Sequence, residues 1–160
     1  MNKVKTLCLI ERNNQILFGM KKRGFGEGWW NGFGGTVEPK ETVEKAAIRE
    51  TKEEVGINVQ KMEKRGMILF YFEGDPDPIE MHIFAVLESD GEPQESEEMK
   101  PEWFDKDKIP YEKMWPADRQ WMSIYLEGRY FGGEVHFTQD KRLVDFDIHE
   151  DAPQGIEKKG

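Results

Sequence analysis

Three glutamates, Glu50, Glu53 and Glu54, stand three and four positions apart in "RETKEEVGI" (49–57). Like charges at those spacings cost a helix roughly 0.2–0.5 kcal/mol per pair, so their crowding needs a reason. With Val43 as zero and about 100° per residue, Val43, Ala46, Ala47, Glu50, Glu53 and Glu54 fall within roughly 120° of arc. Ile48 and Val55 adjoin that face; Lys45, Arg49 and Lys52 lie opposite. Carboxylates that continue a face of small packing residues must be paired or must bind a cation. An all-oxygen set suits a hard cation, Mg²⁺ or Mn²⁺. The competing reading is a solvated acidic face laced to lysines.

The elements that would position them are legible. "KVKTLCLIE" (3–11) alternates, "RNNQ" turns, and "ILFGM" (16–20) completes a hairpin. Residues 21–35 hold six glycines among aromatics and read as a loop with a short strand near 30–33. Thr42 caps a helix over 43–55 that Gly56 ends. Strands at 66–74 and 79–89 flank a "DPDP" turn as a second hairpin. An acidic loop (90–100), a short strand "EWFD", a helix from Pro116 to about Glu127 and a last strand pair follow. The expectation is one mixed α/β sandwich over residues 1–149, with a polar, disordered tail at 150–160.

Composition bounds the function. A formal net charge of −9 repels phosphate backbones, which excludes long nucleic acid but not a small phosphorylated substrate bridged by cations. Cys8 is the single cysteine, so no internal disulfide forms, as in a reducing cytosol. Apolar runs are strand-length, not membrane-length, and the N-terminus lacks a signal-peptide pattern. A cytoplasmic monomer with no membrane partner is expected.

Gly35, five residues, Glu41, seven residues, Arg49–Glu50, then Glu53–Glu54, Gly56 and Ile57 form eight positions at fixed spacing. This pattern resembles the Nudix box, the loop–helix–loop signature of hydrolases acting on nucleoside diphosphates linked to another group. Thr51, where that family has an aliphatic residue, is the one departure; on the packing side, it should affect stability more than chemistry. The resemblance implies a Nudix fold, a mixed β-sheet core between helices, and Mg²⁺, with Mn²⁺ as an alternative. It implies that Glu50, Glu53 and Glu54 hold cations on the substrate's phosphates. Gly34 and Gly35 would let the backbone approach, the Gly34 carbonyl being a ligand. Arg49 would orient the cluster through Glu41. Glu98 would add a further metal-binding or basic carboxylate, in competition with Glu95 and Glu97.

"LFGMKKRGFGEGWWNGFGG" (17–35), "MWPADRQW" (114–121) and the closing "LVDFDI" are similar to the animal-type oxidised-purine nucleoside triphosphatases of that family. The likeness implies that Asn31 bonds the purine edge, that Trp115 stacks on the base, and that Phe25, Phe70, Phe72 and Met81 wall the pocket. Thr6 and Lys21 would meet the sugar or the opening, and Asp118 would read the Watson–Crick edge. Phe33, Gly34, Gly35, Thr36, Pro116 and Ala117 complete the implied binding set. Inward packing, a turn role for Asn31 and a dipole role for Asp118 explain the same residues without a ligand. Those enzymes carry two adjacent aspartates after "MWP"; here the pair is Ala117–Asp118, which implies a narrowed substrate range. Alternatives are a hydrolase of RNA 5′-triphosphate ends or dinucleotide coenzymes, and a non-catalytic nucleotide sensor.

Overall fold

The computed structural model describes residues 2–152. Strands β1 (Lys3–Arg12), β2 (Gln15–Lys21) and β3 (Trp30–Asn31) precede helix α1 (Val43–Val55). Then come β4 (Asn58–Phe72), β5 (Ile79–Asp90), β6 (Met99–Asp105), α2 (Asp118–Leu126), β7 (Tyr130–Phe137) and β8 (Leu143–Asp151). They form one sheet in the order β3-β2-β1-β5-β4-β7-β8, with β6 on the far side of β2. No helix of the described residues is long and apolar enough to cross a membrane.

Period-two alternation sorts the core into two layers. On β1 and β5, Leu9, Ile79, Met81, Ile83 and Ala85 join Met122 and Trp121 of α2 on one face. Cys8, Ile10, Phe84 and Val86 join Ala47 and Val55 of α1 on the other. The sheet is therefore covered by a helix on each side, as the sandwich expectation required.

Local signals hold where expected. Asn13 and Asn14 both take positive φ, 51° and 63°, the primed-turn geometry that joins β1 to β2. Thr42 Oγ1 accepts from the Lys45 amide at 3.1 Å, and Gly56 closes α1 at φ 76°. Pairing is less local than the hairpins suggested. β1 meets β2 antiparallel only from Ile10 to Arg12, and runs parallel to β5 along Lys3–Ile10. β4 likewise runs parallel to β7. Helix α2 starts at Asp118, because Pro116 and Ala117 are spent on a turn closed by the Asp118 amide on the Trp115 carbonyl, 3.0 Å. β8 continues to Asp151, two residues into the stretch expected as a tail; residues 153–160 lie outside the described residues.

Thr51 is fully buried, its hydroxyl beside the Cys8 thiol. The neighbouring Cys8 thiol is pushed up to about 12 by burial. Arg65, which the sequence reading passed over, is 5% exposed. Its guanidinium donates to the Tyr125 carbonyl at 2.8 Å and to that of Arg129 at 2.8 and 3.1 Å, fastening the end of α2 to β4. It also lies 4.5 Å from the Tyr125 ring centroid. Arg65→Met is expected to lose about 2–3 kcal/mol of folding stability by stranding these carbonyls, measured as a lower urea midpoint at unchanged slope.

Candidate active site

The site begins with a close approach. The segment 33–36 lies beside β1 through isolated bridges, Cys8 to Phe33 and Lys5 to Thr36. A Cβ on Gly34 would stand 1.9 Å from the Thr6 carbonyl oxygen, and one on Gly35 would stand 2.5 Å from the Glu50 carboxyl carbon. Only glycine lets the loop pass between β1 and the acidic face of α1. The Gly34 amide then donates to Glu54 Oε1 at 2.9 Å.

The three helix glutamates separate by angle. Buried positions of α1 run from Ala46 through Ala47 and Thr51 to Val55, an arc in which Glu54 lies near the middle and Glu50 just inside. Glu54 is accordingly buried, Glu50 half-buried, and Glu53, beyond the edge, exposed. Arg49 does not face away from them as the wheel suggested. It forks onto Glu41 at 2.7 and 3.0 Å and reaches Glu50 at 3.1 Å, Glu53 at 3.4 Å and the Thr36 carbonyl at 3.1 Å. This hub ties the loop after Gly35 to the helix. The pairing holds Glu41 down to about 2.

Burial pushes the Glu54 carboxyl up to about 7, with Glu50 and Glu98 adding repulsion; the Gly34 amide and Lys21 oppose the shift. Burial also raises Glu50. Lys21 Nζ stands 3.9 Å from Glu54 and 3.3 Å from Glu98. Of the competing loop acids, Glu95 pairs with Lys22 and Glu97 with Arg23, so Glu98 alone lines the site. Among the described residues no three His, Cys, Asp or Glu side chains stand close enough together to hold a metal ion by themselves. The donor set nevertheless fits a divalent cation: oxygen only, partly dehydrated and mutually repelling until positive charge arrives.

Behind this rim lies a cavity of about 350 Å³. Thr6, Lys21, Phe25, Asn31, Gly34, Gly35, Thr36, Glu50, Glu54, Phe70, Met81, Glu98, Trp115 and Asp118 all line it. Phe33 does not; it is fully buried in the α1-side core. Phe72 stacks on Phe137 at 5.4 Å and lines an adjoining cavity instead. Pro116 and Ala117 form the turn, with Ala117 1% exposed in the core, and Glu53 and Arg49 stay outside. Unanticipated lining comes from Lys5, Leu7, Leu9, Phe18, Gly32, Met99, Met114 and Trp121. The alternation of β1 signals Leu7 and Leu9; nothing local signals Met99 or Met114, which arrive by long-range packing.

Asn31 is already engaged. Its Oδ1 accepts from Trp115 Nε1 at 3.0 Å, and its amide donates to the Trp29 carbonyl at 2.8 Å. Trp115 is held among Phe25 and Trp29, each 4.7 Å away between centroids. Asp118 is deeper, 6% exposed, and accepts from Trp121 Nε1 at 3.2 Å. Burial pushes its carboxyl up to about 7. The native chain therefore keeps a proton that the unfolded chain releases above about pH 4, so this part of the stability is present at low pH and lost by about pH 7. Asp118→Asn keeps the bond to Trp121 and removes the titration. Urea unfolding should show parent and variant alike at pH 4, and the variant more stable at pH 8 by up to about 4 kcal/mol.

Comparison with known proteins agrees with the box. The NUDIX domain model matches residues 1–124, and the chain belongs to the Nudix hydrolase family. Its relatives include the oxidized purine nucleoside triphosphate hydrolases of Danio rerio, 44% identical, and Mus musculus, 42% identical. Each aligns over 93% of this chain and 96% of the relative. Among solved structures, a MutT mutator protein of Bacillus halodurans superposes with a TM-score of 0.83 at 29% identity, covering 91% of this chain and 97% of its own.

Proposed function

We propose that this protein hydrolyses oxidised purine nucleoside triphosphates, 8-oxo-dGTP foremost, to the monophosphate and pyrophosphate, clearing the nucleotide pool before mutagenic incorporation. The observation that carries this reading is one cavity with an aromatic interior ending on a buried Asp118 and a carboxylate rim at Glu50, Glu54 and Glu98. A purine fits the interior, its polar edge against Asp118 and its face among Phe25, Phe70 and Trp115. A protonated Asp118 donates to a carbonyl; an ionised one accepts from N–H groups. Asn31 accepts from the Trp115 indole, Thr6 lines the same cavity, and Lys21 reaches Glu54 and Glu98 at its rim.

Glu50, Glu54 and Glu98, with the exposed Glu53 beside them, would hold Mg²⁺, or Mn²⁺ in its place. When bound, the cation neutralises phosphate charge and activates water. Arg49 keeps Glu41, Glu50 and the Thr36 backbone in one frame, which is positioning rather than proton transfer. The free, buried thiol of Cys8 suits a reducing compartment.

The RNA-end alternative gains little from the geometry. The basic run Lys21, Lys22 and Arg23 is spent on Glu98, Glu95 and Glu97. The test is kcat/KM with Mg²⁺ for 8-oxo-dGTP, 2-hydroxy-dATP, dGTP and dATP. A preference for the oxidised guanine over dGTP of at least about tenfold is expected. Equal rates on both would overturn the sanitising role and leave the hydrolase. Ala117→Asp, which restores the second carboxyl of the animal-type pair, should change the ranking toward 2-hydroxy-dATP.

A further inference from the structure

A second cavity of about 430 Å³ adjoins the first and shares Lys5 and Phe25 with it. Its other lining residues are Lys3, Phe72, Glu73, Ile79, Gln139 and Lys141. In a chain of net charge −9, three lysines against one glutamate is a local reversal of sign. The aromatic component is equally marked. Phe25 and Phe72 meet edge to face at 6.0 Å. Lys5 Nζ stands 5.7 Å and Lys141 Nζ 5.9 Å from the centroid of Phe25, and Lys141 Nζ is also 5.9 Å from that of Trp115.

The lysines are not spent alike. Lys3 pairs with Asp75 at 3.3 Å. Lys5 Nζ donates to a neutral hydroxyl, Thr36 Oγ1, at 3.2 Å, and Lys141 rides on the turn between β7 and β8 at φ 67°. Burial and repulsion by Lys21 and Lys3 lower the Lys5 ammonium, with Glu50 and Glu54 of the first cavity opposing the shift in part. Ammonium groups that repel one another beside an open aromatic floor are relieved by an anion that also carries a flat ring.

We propose that this second cavity is a distinct binding site for a nucleoside monophosphate, its phosphate among Lys3, Lys5 and Lys141 and its base against Phe25 and Phe72. The occupant is set by the conjunction of charge and rings: an inorganic anion leaves the floor unused, and a neutral nucleoside leaves the lysines unused. Because Phe25 and Lys5 serve both cavities, an occupant here abuts whatever fills the first, and the reaction's own product class satisfies the chemistry of both.

The test is titration of the full-length protein, in EDTA so that no turnover occurs, with deoxyguanosine monophosphate, deoxyguanosine and inorganic phosphate, followed by calorimetry and by backbone amide shifts. Two sites are expected for the monophosphate, with shifts at Phe72, Gln139 and Lys141 separate from those at Asn31 and Asp118. Lys141→Glu should weaken the second event about tenfold and leave the first and the melting temperature unchanged; Lys3→Gln should act in the same direction. Shifts confined to Asn31 and Asp118, or equal affinity at the second site for phosphate or for deoxyguanosine, would overturn the proposal. Loss of the Asn31 and Asp118 shifts alone would instead count against the purine reading of the first cavity.

Discussion

Glu54→Gln is expected to lower kcat/KM for nucleoside triphosphate hydrolysis by about a thousandfold with no loss of folding stability. Glutamine keeps the acceptor that the Gly34 amide uses at 2.9 Å, so the loop stays seated. What disappears is the negative charge at the most buried point of the rim. That charge is held at a cost, since burial and the neighbours Glu50 and Glu98 push the carboxyl up to about 7. Relieving it should leave the melting temperature equal or higher at pH 8, while binding of Mn²⁺, read by its paramagnetic relaxation, weakens. A variant with parental activity would remove the carboxylate rim from the chemistry altogether. Glu53→Gln, at an exposed position, should cost less than Glu54→Gln, and the ordering of the two is itself a check on the geometry.

The second large effect concerns backbone. Gly34→Ala places a methyl group 1.9 Å from the Thr6 carbonyl oxygen and 2.6 Å from its carbon. Neither atom can yield, because β1 is held by β5 on its other side. Overpacking against backbone of this kind costs about 3 kcal/mol or more, a drop of about 10 °C in melting temperature for a chain of this size. Activity should fall with it, since the displaced loop takes the Gly34 amide away from Glu54. Gly24→Ala is the control. It meets no atom within 4 Å and pays only for φ +80°, about 1 kcal/mol. Similar melting curves for the two variants would mean that the loop does not pass where the structure puts it.

Short-range chemistry was the readable part of this sequence. Thr42, Gly56 and the paired asparagines each act through neighbours within four residues, and α1 and the first turn form where those signals place them. The box glutamates were readable for the same reason, since one helix turn fixes their spacing. Their unequal burial was not, because it depends on where the sheet lies relative to α1; the wheel put Glu53 with the others, and the packing leaves it in solvent. Parallel pairing of β1 with β5 leaves no local trace, so a hairpin was the natural expectation for a strand that uses only its last three residues that way. Phe33 and Phe72 illustrate the same limit: alternation says that an aromatic points inward, not which side of the sheet or which cavity receives it. Arg65 carries no local signal in "KMEKRG"; its burial follows from the end of α2 lying over β4.

The parallel registers Lys3–Ile10 with Ile79–Val86 and Gly66–Phe72 with Phe131–Phe137 also bear on how the chain is made. Strand β1 is synthesised long before β5, and until then it has only the short pairing with β2 over Ile10–Arg12 and the isolated bridges to segment 33–36, which leaves its β5 edge open. Contacts of such sequence separation form slowly, and an open edge of that length is an aggregation hazard while it waits. Asp118 and Trp115 emerge later still, so a nascent chain already carrying the entire glutamate helix has nowhere to seat a base until α2 has followed.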